Sequence, residues 1–280
     1  MPFKSAVSRL LSSEPMKTKV LILLAGFVVL EACSKVPVTG RRQFNVVGTG
    51  QIASMVESQY RETLQQSTIL PESDQRTKLV RSCGQRIATA VETFLKEHGM
   101  NDRVQEFQWE FNVADDPTVN AWCMPGGKVL FYTGILPITK DETGLAVVMG
   151  HEVAHAVARH GNERMSQGIL AQGAGMTLDI LTSENPGLAR DLLMQSVGIG
   201  SQLGMLAYSR SHETEADKMG LIFMAMAGYD PREAPAFWER MSANAGGQAP
   251  PELLSTHPSD QRRITDLNAY MPEALKYYKP

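Results

Sequence analysis

No block of basic residues interrupts this sequence, and nowhere do basic and aromatic side chains interleave; the formal net charge is −3. A nucleic-acid partner would need an electrostatic footprint that is missing here, so that class is excluded. Long apolar runs are missing as well. The run Val20 to Leu30 has eleven residues, which as a helix rises about 16 Å, roughly half a bilayer core. Segments 163–182 and 186–207 are rich in Gly, Ala, Met and Leu, but Asp179, Glu184, Arg190 and Asp191 interrupt them below spanning length. They are expected to be closely packed core helices. No internal repeat or low-complexity tract is visible, which removes solenoids and arrays. Histidine and cysteine are scarce, with 6 and 3 in 280 residues.

What is present begins with a leader. Lys17 and Lys19 precede the apolar run in the pattern of an export signal, with Met16 a candidate start. Leu30-Glu31-Ala32-Cys33 resembles a bacterial lipobox, although Glu31 stands where a small or apolar residue is usual. On that reading 1–32 is a signal peptide, Cys33 is lipidated, and 33–50 is a linker. Ser34 in place of Asp points to an outer membrane, facing the periplasm; ordinary secretion to the periplasm is the runner-up. Cys83 and Cys123 then form an even number in an oxidising compartment, either bridged or a pair of buried thiols.

Apolar residues at helical spacing (Leu79, Cys83, Ile87, Val91, Leu95) predict helices over 51–70 and 74–98, separated by Pro71. Phe107 to Val113 alternates as a half-exposed strand, followed by short strands at Val119–Cys123 and Lys128–Thr133. Asp141 is a cap for a helix running to about His160, ended by Gly161. Further helices near 212–227, 231–243 and 259–270 complete an α+β domain, mainly helical, with a small antiparallel sheet.

The segment Met149-Gly-His-Glu-Val-Ala-His-Ala-Val-Ala-Arg-His160 holds three of the six histidines. His151 and His155, four apart, lie one turn apart on one helix face, where two imidazoles can share a Zn²⁺. Glu152 beside them can serve as general base towards water. On a continuous helix His160 falls on the opposite face from His151 and is excluded. A third ligand is sought downstream, in Ser209-Arg-Ser-His-Glu213-Thr-Glu215-Ala-Asp217. There Glu213 and Asp217 share a face, one able to bind metal and the other to orient a ligand histidine. The alternative for these carboxylates is a solvated acidic first turn.

The two motifs together resemble the zinc endopeptidases related to HtpX and the CAAX prenyl protease, peptidase family M forty-eight. The branch they most resemble is the periplasmic quality-control lipoproteins of the BepA and LoiP type. Pro37-Val-Thr-Gly-Arg-Arg42, Asn120-Ala121, Pro125-Gly-Gly127, Asp141-Glu142 and His257-Pro258 belong to the same resemblance. It implies a zincin-like (gluzincin) catalytic domain over 51–280, with His151, His155 and Glu213 as zinc ligands, Glu152 as base and Asp217 orienting a ligand. It also implies Asn120 and Ala121 on a substrate-binding edge strand above the cleft. His257 and Arg263 match the family pattern; His257 could stabilise the oxyanion or occupy the open zinc position. The short run beyond His257 leads one to expect no helical-repeat domain. The reading is therefore a zinc-dependent endopeptidase of the bacterial envelope, lipid-anchored at Cys33, acting on unfolded or misassembled proteins. The alternative is a latent or inactive zinc-binding lipoprotein with a peptide-binding, chaperone-like role.

Overall fold

The protein, seen in a computed structural model, is described for residues 33–173, 175–199, 209–244, 253, 254, 257 and 261–279. The leader assigned to 1–32 lies outside the described residues. Strands β1 (Cys33–Lys35) and β2 (Arg42–Phe44) pair antiparallel, and helices α1 (Thr49–Gln66), α2 (Gln75–Glu97) and α3 (Asn101–Val104) follow. A three-stranded sheet holds β3 (Glu110–Ala114), β4 (Ala121–Met124) and β5 (Lys128–Tyr132). The rest is helical: α4 (Leu136–Thr139), α5 (Glu142–Val157), α6 (His160–Ala171), α7 (Leu178–Glu184), α8 (Pro186–Ser196), α9 (Arg210–Met226), α10 (Glu233–Asn244) and α11 (Gln261–Ala274). This is the expected α+β class, helices dominating. No described helix is long and apolar enough to cross a membrane.

Two details of the sheet correct the expectation. Its order is β3-β5-β4, with β3 parallel to β5 and β4 antiparallel to it, so the sheet is mixed. The β4–β5 hairpin folds so that its second strand inserts beside β3, leaving β4 at the edge. Nor is the sheet half-exposed. Trp122, Met124 and Leu130 face a core with Tyr60, Met165 and Leu193, while Cys123, Val129 and Phe131 face the core around α5. Period-2 alternation thus separates two cores, each covered by helices.

Asp74 opens α2 by accepting from Arg76 N at 2.8 Å, and Gly99, at φ 71, lies just past its end. Its buried stripe runs through Val80, Cys83, Ile87, Val91 and Leu95; Leu79, expected in the stripe, is exposed. Cys83 and Cys123 are both buried and both free, so the bridge is not formed. They lie on α2 and on β4, and burial pushes the Cys83 thiol up to about 12.

Helix α5 is the axis of the molecule. Asp141 caps it, its Oδ1 accepting from Gly144 N at 2.9 Å, and every residue from Gly144 to Val157 is buried. A helix apolar on all sides belongs in a core. Helix α9 crosses it with backbones nearly touching: a methyl added at Gly220 would meet Gly150 C and His151 N at 3.1 Å. That crossing needs glycine, and it carries the first turns of α9 past the histidines of α5.

The end of α5 differs from the expectation of one helix to His160. It stops at Val157, and Arg159 adopts the left-handed conformation at φ 58, ψ 34. For a residue with a Cβ this costs roughly 1–2 kcal/mol. The chain therefore turns before α6, whose first residue is His160, and Gly161 lies inside α6 rather than after α5.

Candidate metal centre

Four buried side chains converge where α5 and α9 cross. His151 and His155 come from successive turns of α5, Glu213 from the first turn of α9, and His257 from the segment preceding α11. One ligand atom from each lies within 4.8 Å of all the others. His151 Nε2 is 3.1 Å from His155 Nε2 and 3.1 Å from His257 Nδ1. Glu213 Oε1 lies 3.3 Å from His155 Nε2 and 3.0 Å from His257 Nδ1. A tetrahedron with zinc bonds of about 2.05 Å has edges of about 3.3 Å, so these donors sit at tetrahedral spacing. Glu152 Oε1 is buried without a hydrogen-bond partner. Three buried imidazoles and a carboxylate at this spacing suit Zn²⁺, and the residues fit that ion.

Each α5 histidine is held from behind, in a different way. His151 Nδ1 is 3.0 Å from Asp217 Oδ1, one turn beyond Glu213 on α9. Arg263 of α11 grips that carboxylate with two bonds, Nη2 to Oδ1 at 2.7 Å and Nε to Oδ2 at 2.9 Å. The guanidinium carbon of Arg263 lies 3.4 Å from the ring centroid of Trp238, a cation–π contact that seats it. Its Nη1 also comes within 3.1 Å of Glu213 Oε2.

Behind His155 stands His160, set aside on the assumption of a continuous helix. The turn at Arg159 brings it back, with Nδ1 at 3.0 Å from His155 Nδ1 and Nε2 at 3.0 Å from Glu215 Oε2. Glu215, for which a solvated turn was the alternative, is buried and accepts from Thr39 Oγ1 at 2.8 Å and Arg41 Nε at 2.8 Å. Arg41 also forks onto Glu163, whose Oε2 lies 3.0 Å from His212 Nε2. Burial alone would raise the Glu215 carboxyl, but hydrogen bonds from His160, Arg41 and Thr39 outweigh it and hold it at about 2. Burial pushes the His160 imidazole down to about 4. Of these partners, the sequence marks Thr39, Arg41 and Glu215 only as members of motifs that carry the family resemblance, with no role assigned to them.

Glu152 points into the same space, its Oε1 3.7 Å from His257 Nε2. Burial raises its carboxyl to about 7, against the pull of His257 and Arg263 and with the push of Glu213. Asn120 and Ala121 are both buried, at the start of edge strand β4. The Asn120 carboxamide oxygen accepts from Ala121 N at 2.9 Å, and Leu253 N donates to Val119 O at 3.2 Å. Cys33 begins β1, opposite Phe44 of β2.

A core helix bearing two imidazoles at metal-donor spacing, a carboxylate from a crossing helix and a buried glutamate beside them carry the pattern of a zinc metallopeptidase. Residues 82–271 match the model of peptidase family M48, and the chain belongs to that family. It is 37% identical over 243 residues to mitochondrial metalloendopeptidase OMA1 of Schizosaccharomyces pombe, covering 85% of this chain and 66% of that protein. The Homo sapiens metalloendopeptidase of the same name is 32% identical, covering 86% and 46%. The β-barrel assembly-enhancing protease of Escherichia coli is 29% identical over 165 residues, covering 56% and 33%. The chain thus spans about half to two thirds of the length of the OMA1 relatives it matches.

These findings overturn the bacterial placement. The stronger matches are mitochondrial enzymes of eukaryotes, so neither a periplasmic outer-membrane location nor a lipid anchor at Cys33 is supported. The expectation rested on a basic-then-apolar leader and four lipobox-like positions. Such a pattern reports a short apolar segment, whose physical chemistry does not distinguish one membrane from another.

Proposed function

We propose that this chain hydrolyses internal peptide bonds of extended polypeptide segments, with His151, His155 and Glu213 holding zinc. Zinc, when bound, supplies a Lewis acid for the scissile carbonyl and for water. Glu152 Oε1 takes the proton from the attacking water and delivers it to the departing amine. A carboxyl near neutrality suits both transfers. The observation that carries this reading is the buried Glu152 oxygen, without a hydrogen-bond partner, beside a tetrahedrally spaced donor set. The name metalloendopeptidase borne by the relatives supports it.

The resting site is closed by the chain itself. His257 fills the fourth corner, where substrate and water need room. Leu253, four residues earlier, donates to Val119 just before β4, at the edge a substrate strand would use. Withdrawal of Leu253 and His257 from these contacts opens both places at once, leaving β4 to take an extended segment by main-chain hydrogen bonds. Zinc analysis beside casein cleavage, with and without chelator, tests the activity. His257→Ala tests the closure: basal cleavage should rise, and a fall in kcat with zinc retained would assign His257 to transition-state stabilisation instead.

A further inference from the structure

The segment 33–50, read as a linker, is fastened to the metal centre. The turn between β1 and β2 presents Thr39 and Arg41 to Glu215, and Gln43 Nε2 donates to Ala158 O at 2.8 Å, at the corner after α5. Glu215 already accepts from Thr39 and Arg41, and a carboxylate can only accept. At Glu215 Oε2, therefore, His160 Nε2 is the donor.

This assignment propagates. A neutral imidazole with its proton on Nε2 has an acceptor at Nδ1. His160 Nδ1 faces His155 Nδ1 at 3.0 Å, a contact that needs one proton, and His155 supplies it. The remaining lone pair of His155 is then on Nε2, the atom that lies among the metal donors. Were the proton of His160 on Nδ1, His155 would have to carry its own on Nε2, and it could not bind metal. His151 reaches its carboxylate, Asp217, directly, and Arg263 clamps it. His155 reaches Glu215 through one more imidazole, and Arg41 clamps that carboxylate from 174 residues away.

We propose that Arg41 is a positioning residue of the metal centre, setting the ring orientation and tautomer of His155 through Glu215 and His160. The proposal rests on the zinc reading above. Its test uses the full chain, with zinc affinity measured by competition with a chromogenic chelator. Long-range ¹H–¹⁵N spectra of the histidine-labelled, zinc-loaded protein locate the ring protons. Arg41→Met should weaken zinc binding about 10–100-fold, the range seen when the partner behind a metal-binding histidine is lost. Arg41→Lys should recover part of it. Gln43→Ala, which cuts another tie of the same strand, should leave zinc affinity unchanged while lowering thermal stability. His160 should carry its proton on Nε2. Zinc affinity in Arg41→Met within about twofold of the parent, set against the loss expected, overturns the proposal. Equal losses in Arg41→Met and Gln43→Ala, which would reduce Arg41 to strand docking, also overturn it. If Arg41→Met does not fold, the parent spectrum decides: a proton on His160 Nδ1 refutes the relay. A parent that binds no zinc would instead refute the zinc reading.

Discussion

Asp217→Asn changes one atom and leaves the shape of the side chain intact, which makes it a sharp test of how His151 is held. In the protein, Asp217 Oδ1 receives both His151 Nδ1 and Arg263 Nη2, while Oδ2 receives Arg263 Nε at 2.9 Å. An amide cannot serve all three donors. With its oxygen at the Oδ1 place, the new NH₂ faces the Nε–H of Arg263; flipped, it faces two donors. The first orientation is better, and it still leaves a buried guanidinium short of a partner. Breaking a buried ion pair from one side costs about 3–5 kcal/mol. Here Arg263 keeps Glu213 Oε2 at 3.1 Å and the Trp238 face, so the lower end, about 3 kcal/mol, is expected. Zinc affinity should fall as well, by about 10–100-fold, since the ring of His151 loses its charged anchor. Urea unfolding of the zinc-free protein reads the first effect and chelator competition reads the second. An unchanged urea midpoint together with unchanged zinc affinity would refute the assignment of Asp217 and Arg263 as the clamp on His151.

Three further outcomes are expected. Glu152→Gln should bind zinc as the parent does, because Glu152 is not among the converging donors, yet lose turnover by several orders of magnitude; near-normal cleavage would remove it as the base. Gly220→Ala should lose about 1–3 kcal/mol by forcing apart the α5–α9 crossing, where the new methyl meets Gly150 C and His151 N at 3.1 Å; an unshifted melting temperature would show that the helices separate without strain. Glu163 lies at about 2 against an ordinary 4.5: burial raises it, but hydrogen bonds from Arg41 and His212 outweigh that. A depressed carboxyl contributes stability above its unfolded value and loses it as pH falls through the folded one, so the zinc-free protein should lose stability between about pH 4.5 and 2. Glu163→Gln should flatten that part of the profile, and an unaltered profile would remove Glu163 from the account.

The helices and the principal donors were legible because each is local. His151, Glu152 and His155 occupy five consecutive positions, and Glu213 and Asp217 share one face of a capped helix, so 3.6-residue geometry places them without knowledge of the fold. What was hidden is non-local or lacks a sequence signal. The reversal at Arg159 has no glycine to announce it, and with α5 continued in thought, His160 fell on the wrong face. The parallel pairing of β3 with β5 depends on which edge a hairpin presents, which no alternation of side chains records. That Cys83 on α2 and Cys123 on β4 stay free is a matter of tertiary placement, which a count of cysteines does not contain.

The three carboxylates of α9 show why a short acidic run was hard to read by composition. Positions 213 and 217 are one turn apart and face α5, so one can enter the donor group while the other stands behind His151. Position 215 is rotated about 200° from 213 and would reach solvent on an isolated helix. It is buried only because α6 doubles back after Arg159 and the β1–β2 turn closes over it, bringing His160 on one side and Arg41 on the other. A carboxylate buried with two such partners is stable as an anion, and as an anion it can fix the proton of His160. The surroundings of Glu215 are therefore created by two chain reversals remote from it in sequence, and its contact with His160, the neighbour of His155, depends on both being in place.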